Sequence, residues 1–501
     1  MDFARFKALA SEYSIIPIWR DLLLDTDTPV SAFAKLRTGA WAFLLESAPA
    51  GSETWSRYTF MGTEPQGAWR LNGNVVDEWS PALGWHGTRT VEDPLADLER
   101  QVTGRRVAFV PELGAFWGGA VGYLGYDVVR SIERLPDGPP RVLNIPDALF
   151  IFTRGVVVID NLRAQGRLVI SVVVPADATE DQLHWLYDGA RAEIDMMEHR
   201  LREHSTLRPL VLDPAAPPAS GETTYDQTRF IADVETIKEY IRAGDCFQAL
   251  LARRISLPHD FLSGDLYRAL RVLNPSPYMY HLALNGVELV GSSPELLVRV
   301  ADGRVTVRPI AGTRPRGATP ADDERLSAEL LADGKERAEH VMLVDLGRND
   351  VGRIAEYNSV EVTSLMQVEK YSHVFHIVSQ VEGTLRPGLS AAAVLKAVFP
   401  AGTMTGAPKV RAMEIIDELE PERRGAYAGA IGYIAWGGER MDLAITIRTC
   451  VFANGTASVQ AGAGIVADSV PLTEWEETEN KARALLKAIG QVRASLHPGR
   501  A

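Results

Sequence analysis

The chain has 501 residues, 46% of them hydrophobic and 23% charged, which suffices for a large core in one elaborated domain or in two to three ordinary ones. A net charge of -13 at pH 7 argues against a broad nucleic-acid surface, which needs basic side chains to displace phosphate counterions. With 2 cysteines, Cys246 and Cys450, there is neither a disulfide framework nor a cysteine metal site, in keeping with a reducing compartment.

The opening "MDFARFKALASEY" lacks the apolar core of a signal segment, and the longest apolar runs, such as "LVISVVV" (168 to 174), are strand-sized. The expectation is a cytoplasmic protein with no membrane span. "IFTRGVVVIDNLRAQGRLVISVVVP" reads as strand, turn, strand, with Gly166 in the turn, and a helix over 179 to 204 follows, capped by Thr179. "RPLVLDPAAPPASGETT" (208 to 224) then replaces periodic sequence with Pro, Ala, Ser and Gly. It divides an N-terminal domain, 1–205, from a C-terminal one, 225–501, through a linker at 206–224.

Beyond the linker, Phe230, Val234, Ile237 and Ile241 keep helical spacing up to a stop at Gly244, and "CFQALLARRISL" reads as a strand. Two hairpins follow, turning at Asp302-Gly303 and at Asn454-Gly455, the second with Arg448 on the strand face of Asp442, Ala444 and Thr446. Hairpins in place of alternating strand and helix units predict an α/β protein of the α+β type, antiparallel sheets with helices outside.

Two segments concentrate negative charge. "PLTEWEETENKAR" (471 to 483) holds Glu474, Glu476, Glu477 and Glu479, with Thr473 and Glu476 spaced as a capping box. Glu474 and Glu477 are three apart and share a helix side, while Glu476 points elsewhere. In "ADGKERAEHVMLVDLGRND" (332 to 350), Asp333 caps a helix on which Glu336 and Glu339 repeat the spacing. Singly, each pair is an ordinary solvated helix face. Brought together, they make an oxygen site for a hard cation, without which the cluster would repel itself.

"FPAGTMTGAPKVRAMEIIDEL" (399 to 419) joins a Gly, Thr and Pro loop to a helix without Walker A spacing, and "QAGAGIV" (460 to 466) allows close backbone approach. His373 and His376 sit in an apolar setting, where histidine is commonly structural. No Ser-His-Asp arrangement follows from spacing, since triads form in space.

Eight segments in register resemble the chorismate-binding enzyme family, most closely its anthranilate synthase component I branch. They are "GSSPELLVR" (291), "RPIAGTRPRG" (308), "ERAEHVMLVDLGRND" (336), "VFHIVSQVEG" (374), "FPAGTMTGAPK" (399), "YAGAIGY" (427), "DLAITIRT" (442) and "QAGAGIVADSVPLTEWEETENKA" (460). The resemblance implies a large two-sheet antiparallel β-sandwich with helices outside, an anthranilate synthase component I-like fold. It implies Mg2+ held by Glu339 and Glu477, with Glu336 and Glu474 supporting. It places Arg448 and Tyr427 on the enolpyruvyl carboxylate of chorismate, helped by backbone near Gly462 and Gly464, with Gln248 and Lys481 in the substrate set. Thr403 lines the ring site, Glu295 is the candidate acid for loss of the ring hydroxyl, and His376 the candidate for orienting substrate or for later proton transfer.

Two positions separate branches of the family. Isochorismate-forming members usually carry a lysine base where this chain has Gln248, and a neutral amide activates water poorly. Typical aminodeoxychorismate synthases carry a nucleophilic lysine where this chain has Ala311, and a methyl group cannot form that covalent intermediate. The implied reaction is chorismate and ammonia to anthranilate and pyruvate, the first committed step of tryptophan biosynthesis. The rivals are an aminodeoxychorismate synthase component I and a non-catalytic tryptophan-binding homologue. The resemblance also implies feedback inhibition by tryptophan, at a site with Glu46 and Ser47 of "LLES" and Pro275, Pro277, Tyr278 and Met279 of "NPSPYM". No glutaminase nucleophile is evident, so nitrogen is expected from a separate glutamine amidotransferase subunit, in a heterotetramer of two large and two small subunits.

Overall fold

The structure, a computed structural model, describes residues 1–47, 57–371 and 374–496. Among them, one sheet has 11 strands and a second has 12, and every paired strand runs antiparallel to its neighbour. Both sheets draw on both sides of the linker. In the first, Trp41–Glu46 pairs with Tyr278–Leu284, so that Glu46 lies opposite Met279. In the second, Gly119–Leu124 pairs with Ala430–Ala435. The 206–224 segment carries no helix or strand, only an isolated bridge from Glu222 to Ser256.

The inner faces of the sheets close on each other. Phe43, Tyr280 and Leu289 of the first sheet form one buried cluster with Tyr123, Ile151 and Ala444 of the second. Side chains of this kind contribute about 1.5–3 kcal/mol each when fully buried, so their packing fixes how the sheets sit relative to one another. Helices cover the outer faces: Glu180–Arg202, Ser263–Leu273 and Pro471–Leu496 on the first, Ala391–Val398 on the second. No helix among the described residues is long and apolar enough to cross a membrane.

Local signals set most element ends. Thr179 accepts a hydrogen bond from the Gln182 amide and starts the helix Glu180–Arg202. Gly244, at φ +88°, ends Gln227–Ala243 in the left-handed conformation that glycine adopts without a Cβ clash. Three expectations are corrected. Gly166 belongs to the strand Gln165–Val173, opposite Ile159, because the chain reverses at residues 161–164. The helix bearing the four glutamates begins at Pro471, so Thr473 lies inside its first turn instead of capping it. The strand that starts at Met441 stops at Ile445, and Arg448 sits in the following bend at φ +50°, off the alternating face.

Candidate active site

Two helices deliver the acidic pairs. Asp333 caps Gly334–Gly352 by accepting from the amides of Lys335 and Glu336, which places Glu336 and Glu339 on its first turns. Glu474 and Glu477 occupy the first turns of Pro471–Leu496, whereas Glu476 is exposed. The positive ends of both helices therefore carry their carboxylates toward one point, where the aligned peptide dipoles favour them.

That point is a cavity of about 580 Å³ lined by Glu336, Glu339, Glu474, Glu477, Gln248, Glu295, His376, Thr403, Tyr427, Arg448, Gly462, Gly464 and Lys481. Every residue expected in catalysis, substrate binding or metal binding thus faces one space. His373 lies outside the described residues. Lining residues that spacing did not suggest are Lys335 and Asn480, surface-type residues in helical sequence that give no signal of their own. Ala311 also faces the cavity.

The frame behind this cavity is a buried ion pair. Arg424 meets Glu420 at 2.6 Å and donates to the carbonyls of Leu250 and Met404, while Glu420 accepts from the Ala252 amide. One pair thereby ties the strand Gln248–Pro258 to the short helical turn Gly402–Met404 that presents Thr403. Close glycine packing does the rest: a Cβ on Gly464 would lie 2.4 Å from Gln248 Nε2.

The electrostatics divide the lining into distinct parts. Burial, then the like charges of Glu336 and Glu477, raise Glu339 above the usual carboxylate range. Burial also raises Glu474, and Glu477 adds to the shift. Partial compensation comes from Lys481, which meets Glu477 at 2.6 Å and donates to Gly462 O at 3.0 Å, and from Gln248 Nε2, which donates to Glu339 at 3.3 Å. Among the described residues no three acidic, histidine or cysteine side chains come close enough to coordinate one ion as they stand. The donor set nevertheless suits a divalent cation. It is all oxygen, its members repel one another, and a Mg2+ that keeps several waters needs only one or two direct carboxylates.

Deeper in, burial pushes Glu295 up to about 8, with Thr403, the Ile310 amide and Lys481 opposing the shift. The Thr403 hydroxyl is close enough to act on Glu295 yet makes no hydrogen bond of good geometry. Burial and then the charge of Arg448 push His376 down to about 4, so its ring is neutral at neutral pH. His376 Nδ1 lies 3.0 Å from Gly312 O; a carbonyl only accepts, so Nδ1 carries the proton and the ring's acceptor is Nε2. Burial lowers the Arg448 guanidinium, and among the described residues no carboxylate offsets it. Burial holds the Tyr427 phenol above its ordinary range.

A second cavity of about 480 Å³ lies between the sheets, lined by Glu46, Ser47, Pro277, Tyr278 and Met279. Pro275 is outside it, two residues up-chain of Pro277. Glu46 is already engaged from the far side by Tyr267 Oη at 2.7 Å and by Arg271 Nη2 at 2.7 Å. Arg299 and Asp442, paired at 2.6 Å, also line the cavity, and the Tyr278 hydroxyl is close enough to act on Asp442, whose buried Oδ1 makes no hydrogen bond of good geometry. Sequence alternation marked Asp442 as polar-facing; the chamber it faces is this one, not that of Arg448.

The family model described as chorismate binding enzyme matches residues 46–487. Anthranilate synthase component 1 of Pseudomonas putida is 47% identical over 493 residues, 97% of each chain. The crystal structure of anthranilate synthase component I from Streptococcus pneumoniae is similar with a TM-score of 0.76 and 36% identity, covering 93% of this chain and 99% of that one. The menaquinone-specific isochorismate synthase of Escherichia coli, 19% identical, shares the fold with a TM-score of 0.71 over 97% of this chain and 98% of its own. The motifs, the cavity they build and these likenesses agree: the chain belongs to the chorismate binding enzyme family.

Proposed function

We propose that this chain is the large subunit of an anthranilate synthase, converting chorismate and ammonia to anthranilate, pyruvate and water. The observation that carries the reading is the composition of the large cavity: a cation without a carboxylate partner, a carboxyl protonated at neutral pH and a neutral imidazole, opposite four carboxylates. Chorismate is a dianion, and the cavity offers its two carboxylates different receivers. Arg448 and Tyr427 take the enolpyruvyl carboxylate. What Mg2+ supplies, when held by Glu339 and Glu477 with Glu336 and Glu474 supporting, is positive charge for the other.

Glu295, protonated below about 8, gives its proton to the departing ring hydroxyl, which leaves as water. Ammonia adds to the ring with its own lone pair and the proton its nitrogen then sheds returns to the Glu295 carboxylate, so no strong base is needed at Gln248, whose amide activates water poorly. His376 accepts the ring proton at Nε2 as the enolpyruvyl group leaves and the ring becomes aromatic; the departing group takes up a proton and becomes pyruvate. Ala311, in the lining, carries no nucleophile, which favours this reaction over one through a covalent lysine adduct.

Ammonia is supplied by a separate glutamine amidotransferase subunit, in a heterotetramer of two large and two small subunits located in the cytoplasm. Tryptophan inhibits from the second cavity, whose 480 Å³ and mixed lining suit an aromatic amino acid. The test is turnover of chorismate by the purified chain with Mg2+ and an ammonium salt at pH about 8, where Glu295 still holds part of its proton and some ammonia is uncharged, products resolved by mass. Anthranilate with pyruvate, suppressed by tryptophan, is expected. Aminodeoxychorismate without pyruvate would replace this reading with the synthase of that compound, and no turnover by folded protein would leave a tryptophan-binding homologue.

A further inference from the structure

Residues 399–408 join the helix Ala391–Val398 to the helix Lys409–Leu419 and carry Thr403 in a short helical turn. The later half of this loop is fixed by backbone: the Leu250 amide donates to the Thr405 carbonyl at 2.8 Å, and Gly406 and Ala407 pair with Ala249 and Gln248. The earlier half leans on the helix Gly334–Gly352 at Gly402, where a Cβ would lie 3.2 Å from Leu346 Cδ1. Beside that contact a cavity of about 40 Å³ remains, with Leu343, Gly347 and Asp350 on the helix side and Val398 and Thr403 on the loop side. A gap with room for a water-sized molecule means that apolar packing alone does not set the distance between helix and loop.

Charge spans the gap. Lys409 Nζ meets Asp350 Oδ2 at 2.9 Å and donates to the Val398 carbonyl at 3.3 Å. One ammonium thereby joins the residue before the loop, the residue after it and the last turn of the helix whose first turns carry Glu336 and Glu339. The two side chains are only 14% and 9% exposed, so little water competes for either charge. A buried pair of this kind adds little net stability, and its better-attested effect is to hold one arrangement. Neither residue lines the large cavity, so any effect on the reaction passes through a neighbour. That neighbour is Thr403, whose hydroxyl is close enough to act on Glu295.

We propose that Lys409 and Asp350 are positioning residues for the amination: they clamp both ends of the Thr403 loop onto the helix Gly334–Gly352 and so hold the Thr403 hydroxyl against the Glu295 carboxyl. The inference rests on the proposed reaction and on Glu295 as its acid. A hydroxyl that donates to Glu295 favours its charged form, as do the Ile310 amide and Lys481, so a displaced Thr403 leaves a carboxyl that is harder to ionise.

Lys409→Met breaks the clamp, and Lys409→Met combined with Asp350→Asn removes both charges together, which leaves no unpaired buried carboxylate and protects the fold. Initial rates with chorismate, Mg2+ and an ammonium salt are measured across a pH series. In both variants kcat should fall about tenfold, with the chorismate KM held within about twofold. The upper pH limb of kcat/KM for chorismate should move up by about half a unit or more. Lys409→Arg, which keeps the charge, should recover most of the rate. In Thr403→Val, where the hydroxyl is already gone, adding Lys409→Met should change neither the rate nor the limb further. An unmoved limb, a rise in the chorismate KM equal to the loss of kcat, or full additivity with Thr403→Val would each overturn the proposal. A limb that persists in Glu295→Gln would instead sink Glu295 as the acid, and absence of anthranilate from the unmodified chain would sink the reaction.

Discussion

At the scale of single residues, the proton inventory of the large cavity is set by burial. Glu295 has its pKa raised to about 8, so its carboxyl is an acid below that value and an inert carboxylate above it. At a fixed concentration of uncharged ammonia, kcat/KM for chorismate is expected to fall about tenfold per pH unit above about 8. Glu295→Gln should remove that limb and lower kcat by about 10²–10⁴. The same shift has a stability signature. A carboxyl with a raised folded pKa imposes no cost below its unfolded value, and a growing one as pH rises toward about 8, so Glu295→Gln should gain thermal stability over the parent across that window. Arg448 makes a different case. Its backbone at φ +50° turns the side chain out of the strand, and a guanidinium without a carboxylate partner awaits an anion. Arg448→Lys keeps the charge but loses the planar fork, and the chorismate KM should rise by about tenfold or more, read in initial-rate kinetics. Neither role is visible in spacing, since Glu295 follows a proline and Arg448 continues an alternating run.

At the scale of elements, the site depends on two helix starts and one strand edge held in register. The acidic pairs were legible as pairs because i and i+3 share a helix side whatever the fold. Their meeting was not legible, because Glu339 and Glu477 lie 138 positions apart in the chain. Gly464 shows the packing tolerance: Gly464→Ala would drive a methyl into Gln248 Nε2, 2.4 Å away, and should lower kcat and raise the chorismate KM while circular dichroism stays unchanged. The Arg424–Glu420 pair, with both side chains nearly inaccessible, ties the strand Gln248–Pro258 to the Thr403 turn. Removing one partner by Arg424→Ala leaves a buried charge and should cost about 3–5 kcal/mol in denaturant unfolding. Capping signals located helix ends where side chain and backbone agreed, as at Thr179 and Asp333. They misled at Thr473, because the packing of Trp475 and Thr478 into the sheet starts that helix earlier, at Pro471.

At the scale of the whole molecule, the strand Met441–Ile445 connects the two large chambers. Asp442 and Ala444 line the 480 Å³ cavity, and three residues beyond the strand's end Arg448 lines the other. A ligand that shifts this strand acts on Arg448 through a short length of chain. Ser47→Ala and Asp442→Asn should each weaken inhibition by tryptophan, read as a higher inhibitor concentration for half-effect, with uninhibited kcat preserved. Unchanged inhibition in both would remove the 480 Å³ cavity from regulation. The cavity exists because strands from either side of the 206–224 segment share both sheets, an arrangement that a linker-like composition does not announce.

The sequence by itself determined the class of fold, the hairpins, the two acidic helix faces and the family, because each follows from local periodicity, turn chemistry or a run of specific residues. Tertiary structure decided what those parts do together. It buried Glu295 and His376 and moved their protonation in opposite directions, gathered carboxylates from distant helices into one field, and turned Arg448 off its strand. Burial, charge proximity and cavity shape are properties of space between residues far apart in the chain, and no pattern along one dimension encodes their distances.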